Sequence, residues 1–189
     1  MKDLITERLC IQKLTTNDLE NAQELLTDDF DYYYGPFRET TTVKDRLNWI
    51  VSLSNWGWAG DLYGDRAIVL KTEKTIIGLC GIDPWVWNTK TKKHLTPLFE
   101  QDSTDLATTS IEFELGYALK ASYRNKGYAT EASSALIKYA FEKIKVRRIL
   151  ARTDIENTES RKMMKRLGMK TYLSEEWGGV GAILYNSEI

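Results

Sequence analysis

The run SIEFELGYALKASYRNKGYATEASSALIKYAFEKIK, Ser110 to Lys145, changes its periodicity halfway along, and that change decides how the whole chain is read. From Ser110 to Leu119, apolar Ile111, Phe113 and Leu115 alternate with Glu112, Glu114 and Gly116, the period of two expected of a strand. Further on, Ala129, Ala132, Ser133, Leu136, Ala140 and Ile144 recur every three or four positions, with Lys138, Glu142, Lys143 and Lys145 set between them, as on an amphipathic helix. Arg124-Asn125-Lys126-Gly127-Tyr128-Ala129-Thr130 is therefore a strand-to-helix junction. Gly127 is free to take a positive φ, and the leading N–H groups of the helix have no partner inside it. The positive end of the helix macrodipole lies there, with Arg124 and Lys126 adding two full charges, so the junction is a cradle for an anion such as phosphate. Small residues, Gly127 and Ala129, let the backbone come close to the bound group. The spacing Arg-x-x-Gly-x-Ala is neither the phosphate loop nor the dinucleotide fingerprint, so the surrounding elements must say what the cradle holds.

Before the junction, Arg8 to Leu14 reads as a first strand, followed by a helix capped by Thr15, Thr16 or Asn17 with Leu19, Ala22, Leu25 and Leu26 on one face. The aromatic stretch Asp28 to Arg38 is a candidate pocket lining or a small satellite of the core. Thr42 caps a second helix with Val43, Leu47, Ile50, Val51 and Ser54 facing inward, and Trp49, Trp56 and Trp58 cluster at its end. Asp65 to Lys71 and Thr75 to Ile82 form a hairpin around Thr72-Glu73-Lys74, with Asp83 to Trp87 prolonging or bulging its second strand. Asn88 to Thr109 is polar and aperiodic, a surface insertion between two strands. After the long helix, Val146 to Thr153 is a strand, reached by almost no linker, so strand, helix and strand make a right-handed parallel crossover. A short helix with Ser160, Met163, Met164 and Leu167 inward follows and is stopped by Gly168. Met169 to Ser174 and Gly181 to Tyr185 close the chain as two strands around the Glu175-to-Gly179 turn. The order β-α-α-β-β-β-α-β-α-β-β predicts an α/β fold with a central twisted mixed sheet of about seven strands and helices on both faces.

The 189 residues fit a single domain carrying the insertion at about 88–109. A hydrophobic fraction of 42% against 28% charged residues is that of a soluble globular protein. With 26 basic and 27 acidic side chains, no global field pulls the protein toward nucleic acid or anionic lipid. Any anion site must be local. Cys10, Cys80 and the single His94 offer no metal constellation and no disulfide frame. No signal-peptide h-region and no membrane-length apolar run is present, and the expected location is the cytoplasm.

Five short motifs in order now carry a likeness: Thr6-Glu7-Arg8-Leu9, Glu114-Leu115-Gly116-Tyr117, Arg124 to Ala132, Asn157-Thr158-Glu159-Ser160 and Leu167-Gly168-Met169. Together they resemble the GCN5-related N-acetyltransferases, and within these the branch of ribosomal-protein N-terminal acetyltransferases. The resemblance implies the acyl-CoA N-acyltransferase fold and acetyl-CoA as cosubstrate. It implies that the backbone of Arg124, Asn125, Lys126, Gly127, Tyr128, Ala129 and Thr130 holds the pyrophosphate. Tyr117, Ala118 and Leu119, at a strand end that splays from its parallel neighbour, would offer backbone groups to the pantetheine arm. Asn157 would bond the same arm, and Ser160 would lie near the departing sulfur. In two respects the chain departs from the family: the 88–109 insertion is long, and Met164 stands where some relatives place a tyrosine acid. The second departure moves the proton-donor role toward Ser160 or water.

Acetylation of an amine needs a base to take its proton. Glu112 and Glu114 share one strand face, and Glu114, where the resemblance places an acid, is the better candidate. The N–H near Leu119 suits a developing oxyanion. Asp29, Asp31, Tyr32, Tyr33, Tyr34, Trp85, Glu175 and Glu176 suit a cationic acceptor or else form an ordinary acidic rim. The acceptor expected is the α-amine of a protein or peptide, in a monomer or homodimer. The alternatives are a small amine (polyamine, amino acid or drug) or a CoA-binding module without turnover.

Overall fold

The computed structural model describes residues 3–27, 42–55, 64–88, 109–174 and 179–186. The aromatic stretch 28–38, Trp56, Trp58, residues 89–108 of the insertion and Glu175 to Gly178 lie outside the described residues, as does the side chain of Trp85. Eight strands form one mostly antiparallel sheet: β1 (Leu4–Ile5), β2 (Leu9–Lys13), β3 (Gly64–Leu70), β4 (Thr75–Asn88), β5 (Thr109–Leu119), β6 (Arg148–Asp154), β7 (Lys170–Ser174) and β8 (Gly179–Tyr185). Seven of them answer to the seven expected. The eighth, β1, is two residues paired with β2 through Leu4 opposite Ile11, too short to show a period.

Four α-helices are described: α1 (Leu19–Ala22), α2 (Val43–Asn55), α3 (Tyr128–Tyr139) and α4 (Thr158–Arg166). Contacts gather into two compact units, Met1–Ile82 with Gly116–Leu136, and Asp83–Leu115 with Ile137–Ile189.

In the first unit β1, β2, β3 and β4 run antiparallel in chain order. The hairpin turns at 71–74, where Lys74 takes a φ of 53°, and the register shifts where Ile68 faces Gly78 but Val69 faces Ile76, which leaves Ile77 of β4 as the extra residue of a bulge. Thr15 and Thr42 both cap helical segments. The Thr15 N–H and hydroxyl donate to Asp18, and those of Thr42 donate to Asp45. The Asp45 carboxyl is held below its usual range by its hydrogen bonds from Thr42. α1 continues into 3-10 turns on either side (Thr16–Asp18 and Gln23–Leu26), so it is tighter than the expected α-helix. Its apolar face nevertheless goes where the spacing predicts. Ala22, Leu25 and Leu26 bury with Leu14, Leu47, Ile50, Ala67, Ile76 and Leu79, each large aliphatic side chain contributing about 1.5–3 kcal/mol.

In the second unit β6 and β8 pair over seven residues, and β7 pairs with β8 on its far side. Burial is continuous from Arg148 to Ala151 and from Gly179 to Leu184. Met163 and Met164 of α4 are also buried, and Gly168 (φ 79°) ends the chain's run through that helix as expected. β5 and β6 are parallel, with Glu114 opposite Leu150, as the crossover rule requires. The chain between them does not stay α-helical: α3 gives way to a π-type segment, Ala140–Ile144, closed by Lys145 at a φ of 64°.

Candidate active site

In the first unit the cradle takes the form its residues dictate. Asn125 and Gly127 both have positive φ, 61° and 81°, and α3 starts at Tyr128. The first backbone N–H to find a helical acceptor is that of Glu131, which reaches the Gly127 oxygen at 3.0 Å. The N–H groups of Tyr128, Ala129 and Thr130 precede it and have no place in the ladder. A side chain at Gly127 would be strained at that φ and would meet Arg8 Nη2 at 3.4 Å. Arg124 folds back so that its Nε donates to the Leu119 carbonyl at 3.0 Å, tying the loop to the end of β5. Lys126 lies over the Tyr123 ring, its Nζ 5.4 Å from the centroid. Thus Tyr117 to Leu119 and Arg124 to Thr130 form one continuous piece, with β5 leading in through Lys120, whose N–H donates to Ile77 O. β4 can lie this close because Gly78 has no side chain to collide with the Ala118 carbonyl.

A shallow cavity of about 370 Å³ adjoins the start of α3, lined by Glu7, Arg8, Leu70, Lys71, Thr72 and Tyr128. Thr6 and Arg8 reach α3 through Glu131. Burial pushes the Glu131 carboxyl up, but hydrogen bonds from Thr6 and Arg8 outweigh it and hold the group below the usual range. The sequence reading gave neither Glu131 nor Arg8 a role by itself, although both fell within quoted motifs.

In the second unit burial along β5 does not follow the apolar alternation, for Leu115 and both glutamates are buried. Ile111 is 61% exposed, whereas Glu112 and Glu114 are buried. The reason lies on β6, which presents arginines to the same face. Arg148 Nε and Nη2 donate to the two oxygens of Glu112 at 2.8 and 2.6 Å, and Arg152 Nε and Nη2 donate to those of Glu114 at 2.8 and 2.9 Å. A buried carboxylate is tolerated when it is paired in this way. The two pairs differ in access, since the Arg148 side chain is 4% exposed and that of Arg152 is 42%. Glu112 is sealed, while Glu114 sits beside a guanidinium in contact with water. That difference favours Glu114 over Glu112 for proton traffic.

Asn157 and Ser160 are brought together. The Asn157 Oδ1 accepts from the Ser160 N–H at 3.1 Å and caps α4. With its oxygen so occupied, the amide is oriented, and its Nδ2 donates to nothing among the described residues. Met164, buried in α4, offers no proton.

The fold recurs in solved structures. The acetyltransferase (GNAT family) from Bacillus anthracis superposes with a TM-score of 0.69 at 22% identity, over 98% of this chain and 99% of that one. A ribosomal L7/L12 alpha-N-protein acetyltransferase, RimL, determined in complex with coenzyme A, gives a TM-score of 0.66 at 12% identity, over 97% and 98% of the two chains. In sequence, an uncharacterized N-acetyltransferase of Bacillus licheniformis, p20, is 27% identical over 173 residues, 90% of this chain and 83% of that protein. Residues 8–170 fit the model of the acetyltransferase (GNAT) domain, and this chain belongs to the GNAT acetyltransferases.

Proposed function

We propose that this chain uses acetyl-CoA to acetylate a primary amine, the α-amine of a protein or peptide N-terminus. The observation that carries the reading is the cradle, in which three N–H groups at the start of α3 lie outside the helical ladder beside Gly127 at positive φ, with Arg124 and Lys126 flanking them. These residues fit a pyrophosphate: the donors are backbone groups that need no side-chain rearrangement, and a Cβ at Gly127 would intrude on the approach. Tyr117, Ala118 and Leu119 would pair with the pantetheine arm through backbone groups, and the Asn157 Nδ2 would donate to its amides.

Acetyl-CoA supplies a thioester whose carbonyl carbon the amine attacks. Glu114, in contact with solvent through Arg152, would accept the amine's proton by way of a water, and Ser160 would donate to the departing sulfur. An N–H near Leu119 would hold the oxygen on which charge develops. An α-amine suits this modest base. At pH 7 about one in ten α-amines of pKa near 8 is neutral, against about one in 2,500 lysine-like amines of pKa near 10.4. The solved neighbour that acts on a protein α-amine points the same way. We read the enzyme as a cytoplasmic monomer or homodimer of the ribosomal-protein acetyltransferase branch. Among the described residues no helix is long and apolar enough to cross a membrane.

The test is acetyl-CoA-dependent thiol release by the purified chain against N-terminal peptides, polyamines and free amino acids. Peptides with a free α-amine should be turned over, with the added acetyl mass on the α-nitrogen, and blocking that amine should abolish the reaction. Faster turnover of a polyamine or amino acid would replace the peptide acceptor with a small one. CoA binding without turnover of any amine would leave only a binding module.

A further inference from the structure

Thr6-Glu7-Arg8-Leu9 is a quoted motif that the proposed chemistry leaves without a task. In the structure it fastens onto α3. Arg8 Nε donates to Glu131 Oε2 at 2.6 Å and Nη1 donates to the Lys126 carbonyl at 2.9 Å. The Arg8 N–H and the Thr6 hydroxyl both donate to Glu131 Oε1, at 2.9 and 2.5 Å. The guanidinium lies 4.5 Å from the centroid of the Tyr128 ring. From the other side, the Lys71 N–H donates to Arg8 O and Lys71 Nζ donates to Thr6 O, at 3.0 and 2.7 Å, so the hook is itself anchored to the hairpin.

These contacts fall on residues 126, 128 and 131, and the cradle's donors lie between them. A peptide unit is planar and trans, so fixing the Lys126 carbonyl on Arg8 turns the Gly127 N–H to the opposite side. It also keeps a carbonyl dipole, which would repel an anion, out of the cradle. Meanwhile Glu131 neutralises Arg8, so the arginine's charge is largely spent inside the protein. We infer that Arg8 is a positioning residue of the anion cradle, clamped by Thr6 and Glu131 so that its fork sets the Lys126–Gly127 peptide for CoA binding. This rests on the reading of that turn as the pyrophosphate site.

Electrostatics alone makes the opposite prediction for one variant, and so the clamp can be tested. Removing a carboxylate beside an anion site should tighten CoA binding if Glu131 acts only through its charge. If it holds Arg8 in place, Glu131→Ala should instead raise the Kd for CoA at least fivefold by calorimetry. Arg8→Lys, which keeps the charge and loses the fork, should do the same. Both should raise the KM for acetyl-CoA while leaving kcat at saturation within about twofold. The double variant Arg8→Ala/Glu131→Ala should cost less than the two single losses combined.

Tighter or unchanged CoA binding in Glu131→Ala, or a loss confined to thermal stability, overturns the clamp. Gly127→Val separates this from the underlying reading. If the natural chain binds CoA, Gly127→Val does not, and the clamp variants bind like the natural chain, the clamp falls alone. If the natural chain does not bind CoA, the pyrophosphate reading falls and takes the clamp with it.

Discussion

Glu112 and Glu131 are both carboxylates gripped by an arginine fork, yet the two pairs serve different ends. Glu112 and Arg148 are each about 5% exposed or less, beneath strands β5 and β6. Arg8 is 41% exposed, and with Glu131 it brackets a turn. In the first case water is excluded, so the pair must stay whole or leave an uncompensated charge in the core. In the second, water screens the attraction and the pair contributes little to stability. What it does instead is fix geometry, because Arg8 shares its fork between a carboxylate and a backbone carbonyl. The same chemical pair is structural when sealed and available for positioning when open.

The largest effect should come from breaking the sealed pair. Arg148→Met leaves Glu112 buried without its cation and should destabilise the chain by about 3–5 kcal/mol in denaturant unfolding. The double variant Glu112→Leu/Arg148→Met should recover most of that loss, and failure to do so would mean that the pair also specifies the register of β5 on β6. Next comes the more open pair of β5. Glu114→Gln should lower kcat about 10²-fold, whereas Glu112→Gln should act on stability and, in whatever fraction stays folded, spare kcat. Equal kinetic loss in the two would erase the distinction between sealed and open carboxylates.

A smaller effect is expected at the cradle, where Gly127→Val should weaken CoA binding at least tenfold, about 1.4 kcal/mol, with the fold retained. The smallest is the acid titration of the Glu131 clamp. Its carboxyl is held below the usual range in the folded protein, so the clamp's stabilisation is present at neutral pH. It fades as the pH falls below the ordinary glutamate range and is gone once the pH passes the lowered value. Comparing the natural chain with Glu131→Gln in melts from pH 7 to pH 3 should show a difference of less than about 1 kcal/mol that shrinks toward the acid end.

Much of the fold was legible from local pattern. The switch from period two to period 3.6 across 110–145 located β5 and α3, and a positive φ at Gly127 followed from the tight turn between them. Thr42 announced its helix, the first cap was narrowed to Thr15, Thr16 or Asn17, of which the structure uses Thr15, and the absence of a linker before β6 required the parallel pairing. The burial of β5 was not legible in the same way. Alternation told which residues share a face and could not say which face would be covered. Glu112 and Glu114 looked like the polar side until Arg148 and Arg152 supplied their counter-charges.

Sequence by itself thus determined seven of the eight described strands, the places of the helices and the chemistry of the strand-to-helix turn, because these depend on neighbours within a few residues. Tertiary structure alone decided which charges are sealed, which are open and which carbonyl Arg8 takes. Those partners stand 36 to 123 positions apart, and a charge 123 residues away leaves no periodic trace in the chain. Only the pairing of strands and the docking of the N-terminal hook on α3 bring such groups within hydrogen-bond reach, and the worth of each pair is then set by how much water the surrounding fold excludes.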